Sequence, residues 1–230
     1  MSRPAEQLNA TQVKKCLMNL VLDIGCGLSS ETMNFLSKIN LDLGTILLIG
    51  VDWSREFCQR SKERMGEVGI SSEYVLCDAA LLPFRDDVFD VVCFLDSLRC
   101  LKGNIPERFL EEAWRTLRSG GTLYITGLDK VTFKGKVLPI FKDARLPISW
   151  GSYVPTDRSE PWIDEEPTYK DLSAGRKFKY VGILPEHVAR ELLSECGVKS
   201  KTLWEVDQEE GYKFHRYLIV ARKTQRLDYC

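Results

Sequence analysis

Five apolar runs, at residues 20–24, 46–51, 74–77, 90–95 and 122–126, punctuate the first half of the chain. They are continuous rather than alternating, which is the pattern of strands buried on both faces of a parallel sheet. Between them the apolar spacing becomes helical. The clearest case is 106–117, where Phe109, Leu110, Ala113, Trp114 and Leu117 fall on one face. Pro106 suits a first helical turn and the Gly120-Gly121 pair ends the segment. Ser54 is placed to cap the helix after the second strand, with Glu56 and Arg60 spaced as an i,i+4 pair. Strands alternating with helices predict a doubly wound α/β sheet covered on both sides.

The last quarter follows another plan. Pro185 opens a helix with Val188, Ala189, Leu192, Leu193 and Cys196 on one face, stopped by Gly197. Two strand-like runs, 198–206 and 214–221, are joined by the polar stretch 207–211, too short for a parallel crossover. The expected fold is therefore one α/β domain over 1–230. It has a mainly parallel seven-stranded sheet, an antiparallel last strand and an insertion after the fifth strand. That insertion, 129–182, has no clean periodicity and carries five of the nine prolines together with Trp150, Tyr153, Trp162, Tyr169, Phe178 and Tyr180. Its length and aromatic content read as a packed, lid-like segment.

Charge narrows the classes of partner. Thirty-two basic residues against 33 acidic ones leave a net charge of −1, which disfavours a general affinity for nucleic acid or anionic membrane. The eight cysteines form no CxxC pair and no zinc-spaced cluster, and most lie in apolar runs such as Val92-Cys93-Phe94. They read as buried thiols of a cytoplasmic protein, and no metal site is expected. The segment 14–22, two lysines and a mostly apolar run, passes straight into Asp23 and glycines with no small-residue cleavage site, so it reads as a strand rather than a leader.

The sharpest chemical signal is Asp23-Ile24-Gly25-Cys26-Gly27-Leu28-Ser29-Ser30 at the end of the first strand. Glycines there let the backbone turn tightly and approach a ligand, and the next helix offers free N–H groups to an anion. Asp52 ends the second strand, placed to accept from both hydroxyls of a ribose.

Four stretches in order resemble the motifs of class I S-adenosylmethionine-dependent methyltransferases. They are Asp23–Gly27, then Gly50-Val51-Asp52-Trp53-Ser54, then Cys77-Asp78-Ala79-Ala80-Leu81-Leu82-Pro83-Phe84 leading into the fourth strand, and Leu117-Arg118-Ser119-Gly120-Gly121-Thr122-Leu123. The resemblance spans about 18–128 and implies S-adenosylmethionine as cofactor. It implies that Gly25, Cys26 and Gly27 line the amino-acid end of the cofactor, with Asp23 on its amino group. Asp52 is implied for the ribose, Trp53 for a stack on the adenine, and Asp78 with the Ala79 N–H for the base. Leu95 and Asp96 are expected under the sulfonium, Asp96 being the one candidate general base, with cofactor binding or capping as its other readings.

Ser29 stands where many members have a third glycine. No Asn-Pro-Pro-Tyr and no Pro-Cys follows the fourth strand, where Asp96-Ser97-Leu98-Arg99 stands instead. That disfavours adenine amines, glutamine amides and the covalent route to cytosine. The expected acceptor is a small molecule first, then a protein side chain, then RNA, with Trp150, Tyr153 and Trp162 as candidate walls. Two alternatives remain. One is a catalytically silent methyltransferase-like partner subunit. The other is a nicotinamide dehydrogenase, whose fingerprint wants glycine where Ser30 stands.

Overall fold

The computed structural model describes residues 18–39, 41–97, 106–138, 141–142, 150–155, 178–195, 197–209 and 211–224. Five parallel strands form the body of the sheet: β1 (Asn19–Ile24), β2 (Ile46–Asp52), β3 (Ser72–Leu76), β4 (Phe89–Leu95) and β5 (Leu117–Phe133). The hairpin β10 (Ser200–Glu209) and β11 (Tyr212–Arg222) completes it, giving the order β10-β11-β5-β4-β1-β2-β3. Only β11 on that path runs against its neighbours. The short β6 (Lys136–Val137) folds back on β5. A separate three-stranded antiparallel sheet holds β7 (Phe141–Lys142), β8 (Trp150–Pro155) and β9 (Phe178–Ile183).

The continuous apolar runs divide by parity between two cores, as side chains alternate across a strand. Leu22, Ile24, Val92, Phe94, Leu123 and Ile125 pack with Phe109, Leu110 and Ala113 of α3 (Pro106–Thr116) and with Ala189 and Leu193 of α4 (Glu186–Glu195). Val21, Leu48, Val91, Cys93 and Leu95 face the other way. They meet Phe35 and Leu36 of α1 (Ser30–Lys38) and Met65 of α2 (Arg55–Glu67). Ser54 caps α2 by accepting from the Phe57 N–H at 3.4 Å, and Glu56 pairs with Arg60. Gly197, at φ 71, ends the turn after α4.

β5 and β10 differ from the sequence expectation, and β5 does so at both ends. It starts at Leu117, so Leu117–Gly121, expected as the helix end and its closing turn, are strand beside β4. β5 continues to Phe133 rather than stopping near 126, because Gly127 and Leu128, and then Lys130–Phe133 past a bulge at His215/Arg216, find antiparallel partners in β11. Leu128, Val131, Leu138, Ile183 and Tyr212 then form a third core under this extension. The 207–211 stretch is not a loop: Asp207, Gln208 and Glu209 lie in β10, paired with Phe214, Lys213 and Tyr212, so the turn is far tighter. Polar side chains hid a strand whose backbone is satisfied by cross-strand pairing. No described helix is long and apolar enough to cross a membrane.

Candidate functional site

The glycine loop is held from the second strand. The Val51 carbonyl accepts from the Gly25 N–H at 2.9 Å and from the Cys26 N–H at 3.1 Å. Asp52, 6% exposed, accepts from the Gly27 N–H at 3.0 Å through Oδ2 and from the Ser54 N–H at 2.9 Å through Oδ1. The Ser61 hydroxyl of α2 donates to the Gly27 carbonyl at 2.7 Å. Gly27 sits at φ 50, and a Cβ there would meet open space, so the loop presents bare backbone outward.

The far end of the loop rests on a tyrosine. The Tyr74 ring crosses β2 at Gly50, where a Cβ would come within 2.3 Å of it. Its hydroxyl reaches the Ser29 Oγ at 3.0 Å. Ser29 is the N-cap residue of α1 but lies in the left-handed region, φ 54, and its side chain makes no capping bond.

Asp23 is 1% exposed. Its carboxylate accepts from the Thr32 hydroxyl of α1, and the Cys93 thiol lies 3.9 Å from Oδ1. Burial raises its pKa to about 7, with the Asp52 charge adding to the rise and the Thr32 bond opposing it. Burial likewise drives the Cys26 and Cys93 thiols well above their ordinary range, leaving both protonated and poor nucleophiles.

Further along the same edge, Trp53 is 63% exposed. Asp78 is exposed and accepts from the Ala80 N–H at 2.9 Å, while Ala79 is buried. The loop that follows is clamped from α3. Glu112 accepts from the Leu82 N–H at 2.7 Å, and Arg115 donates to the Phe84 carbonyl at 2.8 Å and pairs with Asp86 and Glu112. The bonds to Glu112 and Asp86 raise the Arg115 pKa, and the bond from Arg115 lowers that of Glu112.

At the end of β4, Leu95 is buried and Asp96 adopts φ 54, its N–H donating to the Thr126 Oγ1 at 3.0 Å. Arg216 of β11 bridges two carboxylates, Asp96 at 3.1 Å and Asp207 at 2.9 Å. These residues border a cavity of about 880 Å³ between α1 and the β4-β5-β11-β10 half of the sheet. Its walls include Glu31, Phe35, Leu95, Thr126, Trp204 and Tyr217. Lys38 and Glu205 pair across it at 3.5 Å.

The structure thus brings Gly25, Cys26, Gly27 and Asp52 into one bonded loop, with Asp23 beneath it turned toward α1. Trp53, Asp78 and Ala79 lie along the adjoining edge, and Leu95 and Asp96 open onto the cavity. Trp150 and Tyr153 are on β8, opposite Ile183 and Tyr180 of β9; Trp162 lies outside the described residues. Sequence reading missed Thr32, Ser61 and Tyr74, which anchor the loop, and Glu31, Asp207 and Arg216 at the cavity. Tyr74 carried a signal, an aromatic beside Gly50 across a parallel pair; Arg216 carried none.

Comparison with known proteins agrees with this geometry. The methyltransferase domain family matches residues 22–125. The chain is similar to a ubiquinone/menaquinone biosynthesis C-methyltransferase of Azotobacter vinelandii, 28% identical over 175 residues, covering 71% of this chain and 67% of that one. The Vibrio campbellii protein of the same description is 33% identical over 110 residues, 48% of this chain and 41% of its own length. The match therefore spans less than half of that second relative. Among solved structures, a methyltransferase of Methanosarcina mazei aligns over 95% of this chain and 99% of its own, with TM-score 0.58 and 16% identity. That likeness is one of fold. The chain is built on the Rossmann-like class I S-adenosylmethionine-dependent methyltransferase fold, and its residues 22–125 match the methyltransferase domain family.

Proposed function

We propose that the chain moves a methyl group from S-adenosylmethionine to a small-molecule acceptor held beside Leu95 and Asp96. The observation that carries this reading is the 880 Å³ cavity at the carboxyl ends of β4 and β5. Its volume falls within the roughly 300–1,000 Å³ of small-ligand sites, on the sheet edge where open α/β folds bind ligands.

The residues present fit the cofactor. Each Asp52 oxygen accepts one backbone N–H and keeps a lone pair free for a ribose hydroxyl. The bare Gly27 backbone leaves room for close approach. Asp23, whose pKa burial raises to about 7, would be held ionised by an ammonium at the amino-acid end, and exposed Trp53 offers a face to the base. The cofactor supplies an electrophilic methyl on a good leaving group, so the protein's task is alignment, worth up to roughly 7–11 kcal/mol. Leu95 excludes water beneath the transfer point, and Asp96 is the carboxylate placed to take an acceptor proton. The 129–182 segment leaves from the β5 edge and is proposed to close the acceptor side, with Trp150, Tyr153 and Trp162 as candidate walls.

Calorimetry with S-adenosylmethionine and S-adenosylhomocysteine, followed by radiolabelled methyl transfer to a small-molecule panel, tests the reading. Binding of both with transfer to a panel member is expected. A folded protein that binds neither is a silent methyltransferase-like subunit, and one that binds NAD instead is a dehydrogenase.

A further inference from the structure

Charge distinguishes this cavity from a neutral, apolar slot. Glu31, Asp96, Glu205 and Asp207 line it against two cations, Lys38 and Arg216. Lys38 is matched by Glu205. Arg216 must serve both Asp96 and Asp207, so its single charge balances one of the two. Glu31, in the first turn of α1, has no ion-pair partner among the described residues. Two negative charges are therefore uncompensated around one concave volume, which gives it a net negative potential. Aromatic surface lies in the same wall. Trp204 is 54% exposed and packs edge-on against Tyr217, a geometry that leaves indole surface free for a cation.

We infer that the acceptor is an organic cation, an amine protonated in solution. Its charge is drawn to the cavity by Glu31 and by the Asp96–Asp207 pair, with its apolar part on Trp204 and Phe35. The inference rests on the methyltransferase reading and names the acceptor class for it. The chemistry balances with groups already present. The bound ammonium gives one proton to Asp96 or to water, exposing its lone pair. Nitrogen then forms the new N–CH₃ bond while the electron pair of the breaking S–CH₃ bond returns to sulfur. S-Adenosylhomocysteine leaves as a neutral thioether, and the positive charge passes from sulfur to the methylated nitrogen. An anionic or carbon-centred acceptor has no comparable use for this lining.

The test compares shape-matched probes, 2-phenylethylamine and 3-phenylpropionate, titrated into the full-length protein saturated with S-adenosylhomocysteine. The amine is expected to bind at least tenfold tighter, and Glu31→Gln combined with Asp207→Asn is expected to reduce that preference about tenfold, as loss of the two uncompensated lining charges should. Tighter or equal binding of the carboxylate overturns the inference. So does an amine affinity that the double variant leaves unchanged, or no amine binding in the millimolar range. Trp204→Ala, monitored in parallel, should weaken the amine more than the carboxylate. The cofactor titration is independent: if S-adenosylhomocysteine binds and methyl transfer is found, but the amine preference fails, only the acceptor class is wrong. If the cofactor does not bind, the methyltransferase reading itself fails.

Discussion

The two halves of the carboxyl edge are built differently. At the glycine-loop end, the loop's polar groups are satisfied within the stretch of chain from β1 to β3. Gly27 meets Asp52 across 25 residues, and Asp23 meets Thr32 across nine. At the cavity end the contacts join distant elements: Asp96 and Arg216 are 120 residues apart, and the Lys38–Glu205 pair is largely exposed on both sides. The first region is a preorganised mould, where removing one group orphans others. The second is a half-open wall whose charges are screened and exchangeable, which is what an interchangeable acceptor site requires.

The strongest way to break this contrast is Asp52→Ala. It removes the acceptor of two backbone N–H groups and the proposed ribose anchor together. Both donors keep partial access to water, so a stability loss of about 2 kcal/mol is expected in urea unfolding. Cofactor affinity should fall at least tenfold by calorimetry, the loss of at least one charge-assisted bond. A folded Asp52→Ala protein with native cofactor affinity would remove the loop from the binding site.

Asp23→Asn comes next. With its pKa raised to about 7 from 3.8, the folded Asp23 keeps a proton that the unfolded chain has lost between roughly pH 4 and 7. Its contribution therefore weakens the fold as pH rises through that window, at up to about 1.4 kcal/mol per pH unit, and stays constant above it. Asparagine removes the charge, so the variant should gain up to about 4 kcal/mol at pH 8 and nothing at pH 4. Its cofactor affinity should fall at pH 8, whereas wild-type affinity should decline on acidification below about 7 as Asp23 takes up its proton. A variant less stable than wild type at pH 8 would show that the Thr32 bond outweighs desolvation.

The cavity end should respond more weakly to the same treatment. Arg216→Met separates two partly exposed carboxylates from their shared cation, and exposed pairs contribute at most about 1 kcal/mol. Stability should fall by less than that, and cofactor affinity should stay within twofold. A loss comparable with Asp52→Ala would mean that both ends of the edge are one rigid unit.

Legibility in the sequence followed the same division. β1, β2 and β4 were visible because strands buried on both faces read as unbroken apolar runs, and the loop was visible because its partners are near in sequence. The β5 extension was not, since Gly127–Phe133 carries Asp129 and Lys130 and is strand only by virtue of pairing with β11. Asp207 looked like loop for the same reason. The Arg216 bridge was illegible because one guanidinium in a strand carries no local mark of which carboxylates the fold will bring to it. Asp23 was legible as a loop acid, but its turn toward Thr32 depends on helix packing that no local pattern encodes.

The finest test lies at Ser29, where the two regions meet at the start of α1. A left-handed non-glycine residue costs about 1 kcal/mol, and glycine relieves that. Glycine also loosens the unfolded chain, offsetting about 0.4–1 kcal/mol of the gain. The bond to Tyr74 is lost as well, worth about 1 kcal/mol. Ser29→Gly should thus be about 0.5 kcal/mol less stable than wild type. Ser29→Ala loses the same bond and keeps the strain, without the unfolded-state penalty of glycine, so it should fall a few tenths of a kcal/mol below Ser29→Gly. Tyr74→Phe supplies the cycle: its coupling to Ser29→Ala should be about 0.5–1.5 kcal/mol, the net worth of one hydrogen bond. Zero coupling in matched urea titrations would show that the hydroxyl pair does not hold the loop. The loop's order would then rest on Asp52 and the Val51 carbonyl alone, and the difference between the two ends of the edge would narrow to a single carboxylate and the backbone it holds.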